Sequence, residues 1–218
     1  MKHHRIAKKE LFQAQVALFI AIGLQVLTRR LGTDVLPGSH YLIIATELVL
    51  AVFISFTINP RTDQGKGLHH LFAVILLGLI SVANVSGLIF VIRSLITNGT
   101  VLVGQQLLAT SVAIFITNII VFALWYWEID SPGLTRTHWS KHDKDFQFTQ
   151  QDMSDELPDW QPQFGDYMYL SISNGINFAS SDAKPITLQS KLLMASQALV
   201  SVLTLALLIA RSVSILGS

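Results

Sequence analysis

The residues best suited to chemistry lie near the end of the chain, in a polar stretch between two apolar segments. An aromatic amphipathic segment, Gly165–Ile176, precedes a turn rich in Asn, Ser and Asp, and an apolar helix follows from about Leu188. Polar backbone at membrane depth is tolerated only where it is buried in protein or lines water. This order of segments therefore predicts a re-entrant loop. Its candidate pore residues are Asn174, Asn177, Ser180, Ser181 and Asp182.

These side chains carry the groups that a small cation needs when it loses part of its water shell. Asn177, Ser180 and Ser181 offer oxygens to a partly dehydrated solute. The Asp182 carboxylate would set a negative potential at the mouth of the loop. A monovalent cation is the candidate solute. The alternative is a tight helix–loop–helix that plugs the bundle and conducts nothing.

The stretch Ser171–Pro185 resembles the pore loop of two-helix potassium channels. Their filter, Thr-Val-Gly-Tyr-Gly-Asp, is followed by a Pro three residues after the Asp and then by a long inner helix; Asp182 and Pro185 match this exit. Both filter glycines are replaced, by Ala179 and Ser181. Since those glycines permit the carbonyl-lined backbone of selective filters, the resemblance implies a loop lined by side chains.

The C-terminal half, from about Glu128, resembles a widespread bacterial family of uncharacterised multi-pass membrane proteins. The matching blocks are Trp125–Trp127, the turn Asp130-Ser-Pro-Gly133, the block Asp166–Leu170 with Asn174, and the apolar stretch Lys191–Arg211. The resemblance implies an architecture with a channel-like hairpin, and it implies no specific activity.

Composition indicates a membrane protein. Hydrophobic residues make up 51% of the 218 residues and charged residues 13%, whereas soluble domains carry about 25% charged residues. The apolar residues form blocks that meet the requirement of about 20 residues for crossing a bilayer. We therefore expect a multi-pass protein of the plasma membrane, surrounded by the lipid bilayer. The sequence contains no basic patch that would indicate binding to nucleic acid. It contains no Cys, which excludes disulfides and thiolate metal sites.

The hydropathy pattern predicts an all-α membrane protein with five transmembrane helices plus a short re-entrant helix and loop. The predicted organisation is a four-helix membrane region over 1–127, an acidic extramembrane loop over 128–164, and a re-entrant hairpin with the final helix over 165–218. Trp125, Tyr126 and Trp127 are interpreted as an aromatic belt at the headgroup level. The predicted spans are Leu11–Leu27, Tyr41–Ile58, Leu71–Ile92, Val101–Trp127 and Leu188–Ile215.

The orientation of the chain is left open by two conflicting indications. Basic residues favour a cytoplasmic N-terminus by the positive-inside rule. With four spans before it, the acidic loop would then also be cytoplasmic. A potassium-channel pore loop instead enters from outside.

Polar residues inside the predicted spans are costly and are functional candidates. Glu47 is the only carboxylate in a predicted span; it either serves as a proton or cation site or pairs with an Arg. The predicted spans also contain amides, which form hydrogen bonds between helices worth about 0.6–2 kcal/mol each. The amides singled out as candidates are Asn84, Gln106, Asn118 and Gln197.

The sequence predicts no enzymatic activity, no cofactor and no metal site. Ser181 and Lys184 match the Ser-x-x-Lys pattern of serine acyl-enzymes, but the partner motifs are missing. The leading expectation is a homo-oligomeric, channel-like protein that forms a passive ion or small-solute pore. The alternatives are a non-conducting accessory protein whose acidic loop binds a partner, and a small carrier that uses Glu47.

Overall fold

The computed structural model describes residues 8–31, 39–56, 63–96, 104–130, 144–153, 155, 157, 160–179 and 182–216. These residues are mostly helical, as predicted. The elements in chain order are α1 (Lys8–Leu31), α2 (Ser39–Phe56), α3 (Asp63–Ile96), α4 (Gly104–Asp130), β1 (Phe146–Phe148), α5 (Thr149–Asp152), α6 (Phe164–Asn177), β2 (Ala183–Pro185) and α7 (Leu188–Leu216).

Four of the described helices are long and apolar enough to cross a membrane. They correspond to the predicted first, third, fourth and fifth spans, and the apolar stretches are Lys9–Arg30, His70–Ile96, Gln105–Asp130 and Leu188–Ala210. These helices could be predicted from the sequence because a membrane span needs a continuous apolar block of about 20 residues. The fourth helix ends three residues later than predicted, at Asp130 in place of Trp127.

Helix α4 lies at the centre of the bundle and packs against α1, α3, α6 and α7. Its last turns carry large side chains that are fully buried, among them Tyr126 and Trp127. The interpretation of these two residues as a belt facing the headgroups is therefore wrong. They face protein because α6 and the segment around β1 cover this end of α4.

Helices α1 and α3 run antiparallel to α4. His70 Nδ1 lies 2.9 Å from Glu128 Oε1 near one end of the pair α3–α4. Further along, Trp125 Nε1 donates to Ser81 Oγ over 3.0 Å. The charge of Glu10, in the first turn of α1, acts on the Tyr167 hydroxyl in α6. The start of α1, the start of α3 and the end of α4 therefore share one end of the bundle with α6.

A two-stranded antiparallel ribbon interrupts the predicted all-helical protein. Phe146 pairs with Pro185, and Phe148 pairs with Ala183. Residues two apart on a strand point to the same face, and the side chains of Phe146 and Phe148 are both buried on theirs. The ribbon thus ties the segment that follows α4 to the segment that precedes α7.

Helix α6 is the short helix predicted from Gly165–Ile176, extended by one residue at each end. At its start, the Asp166 carboxylate accepts the backbone N–H of Gln163 over 2.7 Å, which supplies half of a capping box. At its end, Phe178 has a left-handed backbone with φ 55 and ψ 25. A left-handed residue after the last helical turn redirects the chain, and it does so here without a glycine.

Candidate functional site

The candidate site is the hairpin formed by α6, the following turn and α7, where it packs on α4. The Phe164 ring lies 5.3 Å from the Trp127 ring at the start of α6. Near its end, a Cβ on Gly175 would lie 3.4 Å from a side-chain carbon of Ile119. Helix α6 therefore descends along α4 from its C-terminal end toward its middle.

The chain returns after α6 to the level from which it started. The Tyr167 ring lies 5.4 Å from the Phe148 ring, and Ala183 is the strand partner of Phe148. From Tyr167 to Asn177 the helix descends about 15 Å at 1.5 Å per residue. Six residues can span up to about 20 Å, so the chain from Asn177 to Ala183 is long enough to climb back. Helix α7 then starts beside the ribbon.

Helix α7 descends along α4 in the same direction as α6. Thr187 caps its start, since the Ser190 N–H donates to Thr187 Oγ1 over 3.2 Å. The Thr187 hydroxyl also donates to the Asp145 carboxylate beside β1. Lower down, Asn118 Nδ2 donates to Ser201 Oγ over 2.9 Å.

A buried network of polar side chains joins the three helices. Gln197 Nε2 donates to the Ser171 carbonyl oxygen over 2.9 Å and to the Ser171 Oγ over 2.7 Å. Gln197 Oε1 accepts hydrogen bonds from Asn174 Nδ2 over 2.8 Å and from the Tyr126 hydroxyl over 2.5 Å. Gln197 is fully buried. All hydrogen-bonding groups of its amide are therefore used within a single copy of the chain.

Asn174 and Ser171 extend this network along α6. Asn174 Nδ2 also donates to the Met194 carbonyl oxygen over 3.0 Å, and Ser171 Oγ donates to the Ile119 carbonyl oxygen over 2.6 Å. Gly175 permits the close approach, because a Cβ there would lie 3.3 Å from Ser201 Oγ. The inner face of α6 is thereby fixed against α4 and α7.

A second polar cluster lies where α4 ends. Asp130 Oδ1 accepts the backbone N–H groups of Asp145 over 2.7 Å and of Phe146 over 3.1 Å. Asp130 Oδ2 accepts the Tyr167 hydroxyl over 2.6 Å. Burial and then the Asp130 carboxylate raise the pKa of Tyr167 well above its usual value, so its hydroxyl keeps the proton that it donates. Asp130 thus joins α4, the ribbon and α6.

The predicted pore residues occupy different environments. Asn174 is buried in the network, whereas Asn177 is exposed at the end of α6. Asp182 is half-buried, and its backbone carbonyl accepts the Thr149 N–H over 3.0 Å. Ser180 and Ser181 lie outside the described residues.

The predicted intramembrane polar residues do not form one site. Asn118 and Gln197 meet Asn174 between α4, α6 and α7. Asn84 is buried between α3 and α4 and donates to the Ile114 carbonyl oxygen over 3.3 Å. Gln106 is exposed on α4.

Glu47 lies apart from this site, on α2, and is fully buried. Among the described residues, neither of its carboxyl oxygens has a hydrogen-bond partner. The charge of Arg29, in the last turn of α1, acts on it. The sequence identified Glu47 as a candidate because it is the only carboxylate within a predicted span.

The sequence analysis did not predict that Tyr126, Ser171 and Ser201 take part in the network. It also did not predict the contact between Asp130 and Tyr167. Helical spacing offered a signal for part of it. Ser171 and Asn174 are three residues apart, and Gln197 and Ser201 are four apart, so each pair lies on one helix face. Among the described residues, no group of three or more His, Asp or Glu side chains is placed to hold a metal ion.

No protein-family model, curated protein or solved structure matches the chain. The two resemblances drawn from the sequence, to potassium-channel pore loops and to a bacterial membrane family, therefore stay predictions.

Proposed function

We propose that this chain is a channel-like integral membrane protein of the plasma membrane, in which α6 and the turn after it form a re-entrant pore loop. Helix α2, with 18 residues and a length of about 27 Å, is the fifth span of this proposal. Several copies of the chain would surround a pore for an ion or small solute, with a monovalent cation as the candidate.

The observation that carries the proposal is the path of the chain around α6. The helix has 14 residues and is about 21 Å long, which is shorter than the hydrocarbon core of about 30 Å. Both of its flanks lead to the ribbon of β1 and β2. A short helix that descends between two long apolar helices, followed by a return to the same end, is the path that a re-entrant loop requires.

Exposure at the tip of the hairpin supports a pore shared by several copies. Asn177, Phe178 and Ala179 are exposed, and an exposed amide at membrane depth needs water or a protein partner. The outer faces of α6 and α7 also expose large apolar side chains, namely Ile172, Ile176, Leu192, Leu199 and Leu203. A ring of copies would bring the tips of the hairpins together around a hydrated axis.

The residues take distinct roles in this proposal. Asn177, Ser180 and Ser181 offer oxygens to a partly dehydrated cation. Asp182 concentrates cations at the mouth by its charge. Asn174 is a positioning residue, because its amide holds α6 against α7 and is enclosed within one copy.

Ion flux through liposomes that contain the purified full chain tests the proposal. We expect flux of K⁺ or Na⁺ above that of empty vesicles. Asp182→Asn should lower this flux most at low ionic strength, since salt screens the charge that attracts cations. The control is Asp155→Asn, which removes an exposed carboxylate from the acidic loop that precedes α6 and should leave the flux unchanged. The absence of K⁺, Na⁺ and H⁺ flux at either polarity of an applied potential would refute the pore.

One observation favours a second function, that of a non-conducting accessory protein. The buried polar groups of α6 are satisfied inside one copy of the chain, through Ser171 and Asn174, so the hairpin can serve as a rigid plug. This alternative predicts a monomer or dimer in detergent and no flux. Its acidic loop would then bind a partner.

A further inference from the structure

A buried carboxyl group on α2 lies outside the pore hairpin and has no role in the proposed pore. Glu47 is fully buried, and among the described residues neither of its oxygens has a hydrogen-bond partner. An ionised carboxylate that is buried without donors costs several kcal/mol. The group therefore needs a proton, or a donor that arrives from elsewhere.

A second unsatisfied acceptor lies in the same three-helix region. Gln25, on α1, is buried, and its Nε2 donates to the Ile80 carbonyl oxygen of α3 over 2.8 Å. Its Oε1 has no hydrogen-bond partner among the described residues. Among the described residues, the two Glu47 oxygens and Gln25 Oε1 are therefore buried acceptors without a hydrogen-bond partner, on two helices that pack against each other. A protonated carboxyl group would supply one donor there.

Arg29 provides the opposing influence. It lies four residues after Gln25, on the same face of α1, and its charge acts on Glu47. Helix α2 offers no other charged side chain among its described residues, and the described His70 and Arg93 of α3 lie toward the two ends of that helix. Burial favours the neutral carboxyl group, and Arg29 favours the ionised one.

We propose that Glu47 is a proton-binding site in the interior of the bundle, with Arg29 as the group that balances its ionised form. One proton adds to a carboxylate oxygen to give the neutral acid, and its release restores the carboxylate. This proposal does not depend on the pore.

Infrared difference spectroscopy on the full chain in lipid nanodiscs tests the site directly. The chain has four glutamates, Glu10, Glu47, Glu128 and Glu156, so carbon-13 labelling of glutamate carboxyl groups isolates a small set of bands. We expect a labelled carboxylic-acid band that titrates between about pH 4, the ordinary value for Glu, and about pH 9, a value documented for buried Glu. Glu47→Gln should remove this band, and the control Glu10→Gln, also at a buried glutamate, should retain it.

A second variant keeps the test decisive if Glu47→Gln does not fold. Arg29→Gln removes the positive charge that stabilises the carboxylate, so the acid band should persist to higher pH than in the parent chain. A labelled spectrum that is the same in the parent and in Glu47→Gln would overturn the proposal. A titration midpoint that fails to rise in Arg29→Gln would overturn it as well.

Discussion

Replacement of Gln197 by Leu tests whether the buried network holds the hairpin together. Gln197 makes four hydrogen bonds, two from its Nε2 to Ser171 and two to its Oε1 from Asn174 and Tyr126. Leu has a similar size and offers none of them. The Tyr126 hydroxyl then loses its acceptor, whereas Asn174 keeps the Met194 carbonyl oxygen.

The expected loss of stability follows from these contacts. Hydrogen bonds between helices in membranes average about 0.6 kcal/mol each, so four contribute about 2.4 kcal/mol. A buried hydroxyl left without an acceptor costs about 1–3 kcal/mol more. The apolar Leu side chain recovers about 1 kcal/mol by burial. We therefore expect Gln197→Leu to lower the free energy of unfolding by about 3 kcal/mol.

Reversible unfolding of the purified chain in mixed micelles, followed by circular dichroism, measures this loss. The control is Gln105→Leu, the same change at an exposed position of α4, and it should alter the free energy by less than about 0.5 kcal/mol. In the Gln197→Leu background, Tyr126→Phe should restore about 1 kcal/mol because it removes the orphaned hydroxyl. A loss below about 1 kcal/mol, or no recovery with Tyr126→Phe, would show that the network contributes little.

Three further predictions concern Asp130, Asp166 and the residues that flank α6. Asp130→Ala leaves two backbone N–H groups and a buried hydroxyl without an acceptor and should lower the free energy of unfolding by at least about 3 kcal/mol, whereas Asp130→Asn should cost less in the same unfolding assay. Burial raises the pKa of the Asp166 carboxyl group in the folded chain, so the folded state keeps this proton to higher pH than the unfolded state does. The free energy of unfolding should therefore fall as pH rises from the ordinary pKa of about 3.9 to the raised pKa. Asp166→Asn should abolish this fall in a pH series of unfolding curves. The third prediction uses Gln163→Cys and Lys184→Cys, at exposed positions that flank α6 in the sequence. A small impermeant reagent should label both cysteines from the same side of the membrane. Labelling from opposite sides would mean that α6 crosses the membrane.

The long helices and the short helix α6 could be predicted because both depend on local sequence alone. Apolar blocks of about 20 residues specify spans, and the 12-residue segment Gly165–Ile176 is too short to be one. The ribbon could not be predicted in this way. Its strands have three residues each, and Phe148 pairs with Ala183, which lies 35 residues further along the chain.

Three amides of the polar network could be predicted individually, but their clustering could not. Asn118, Asn174 and Gln197 are conspicuous because amides are costly in apolar helices. Their convergence depends on how each helix is rotated about its axis, and rotation is set by packing against neighbours. Tyr126 shows the consequence, since an aromatic residue near a helix end is typical of the membrane interface and here it is completely buried in the protein.

The structure links the orientation of the hairpin to that of the whole chain. The charge of Glu10 acts on Tyr167, and His70 contacts Glu128, so α1 and α3 begin at the end of the bundle from which α6 descends. A reagent that labels Lys184→Cys from one side therefore also fixes the side on which α1 begins. If that side is cytoplasmic, as the positive-inside rule favours, the proposed re-entrant loop would enter the membrane from the side opposite to that used by a potassium-channel pore loop. In the proposed pore, a cation leaving the cell would then meet the half-buried Asp182 before it reaches Asn177.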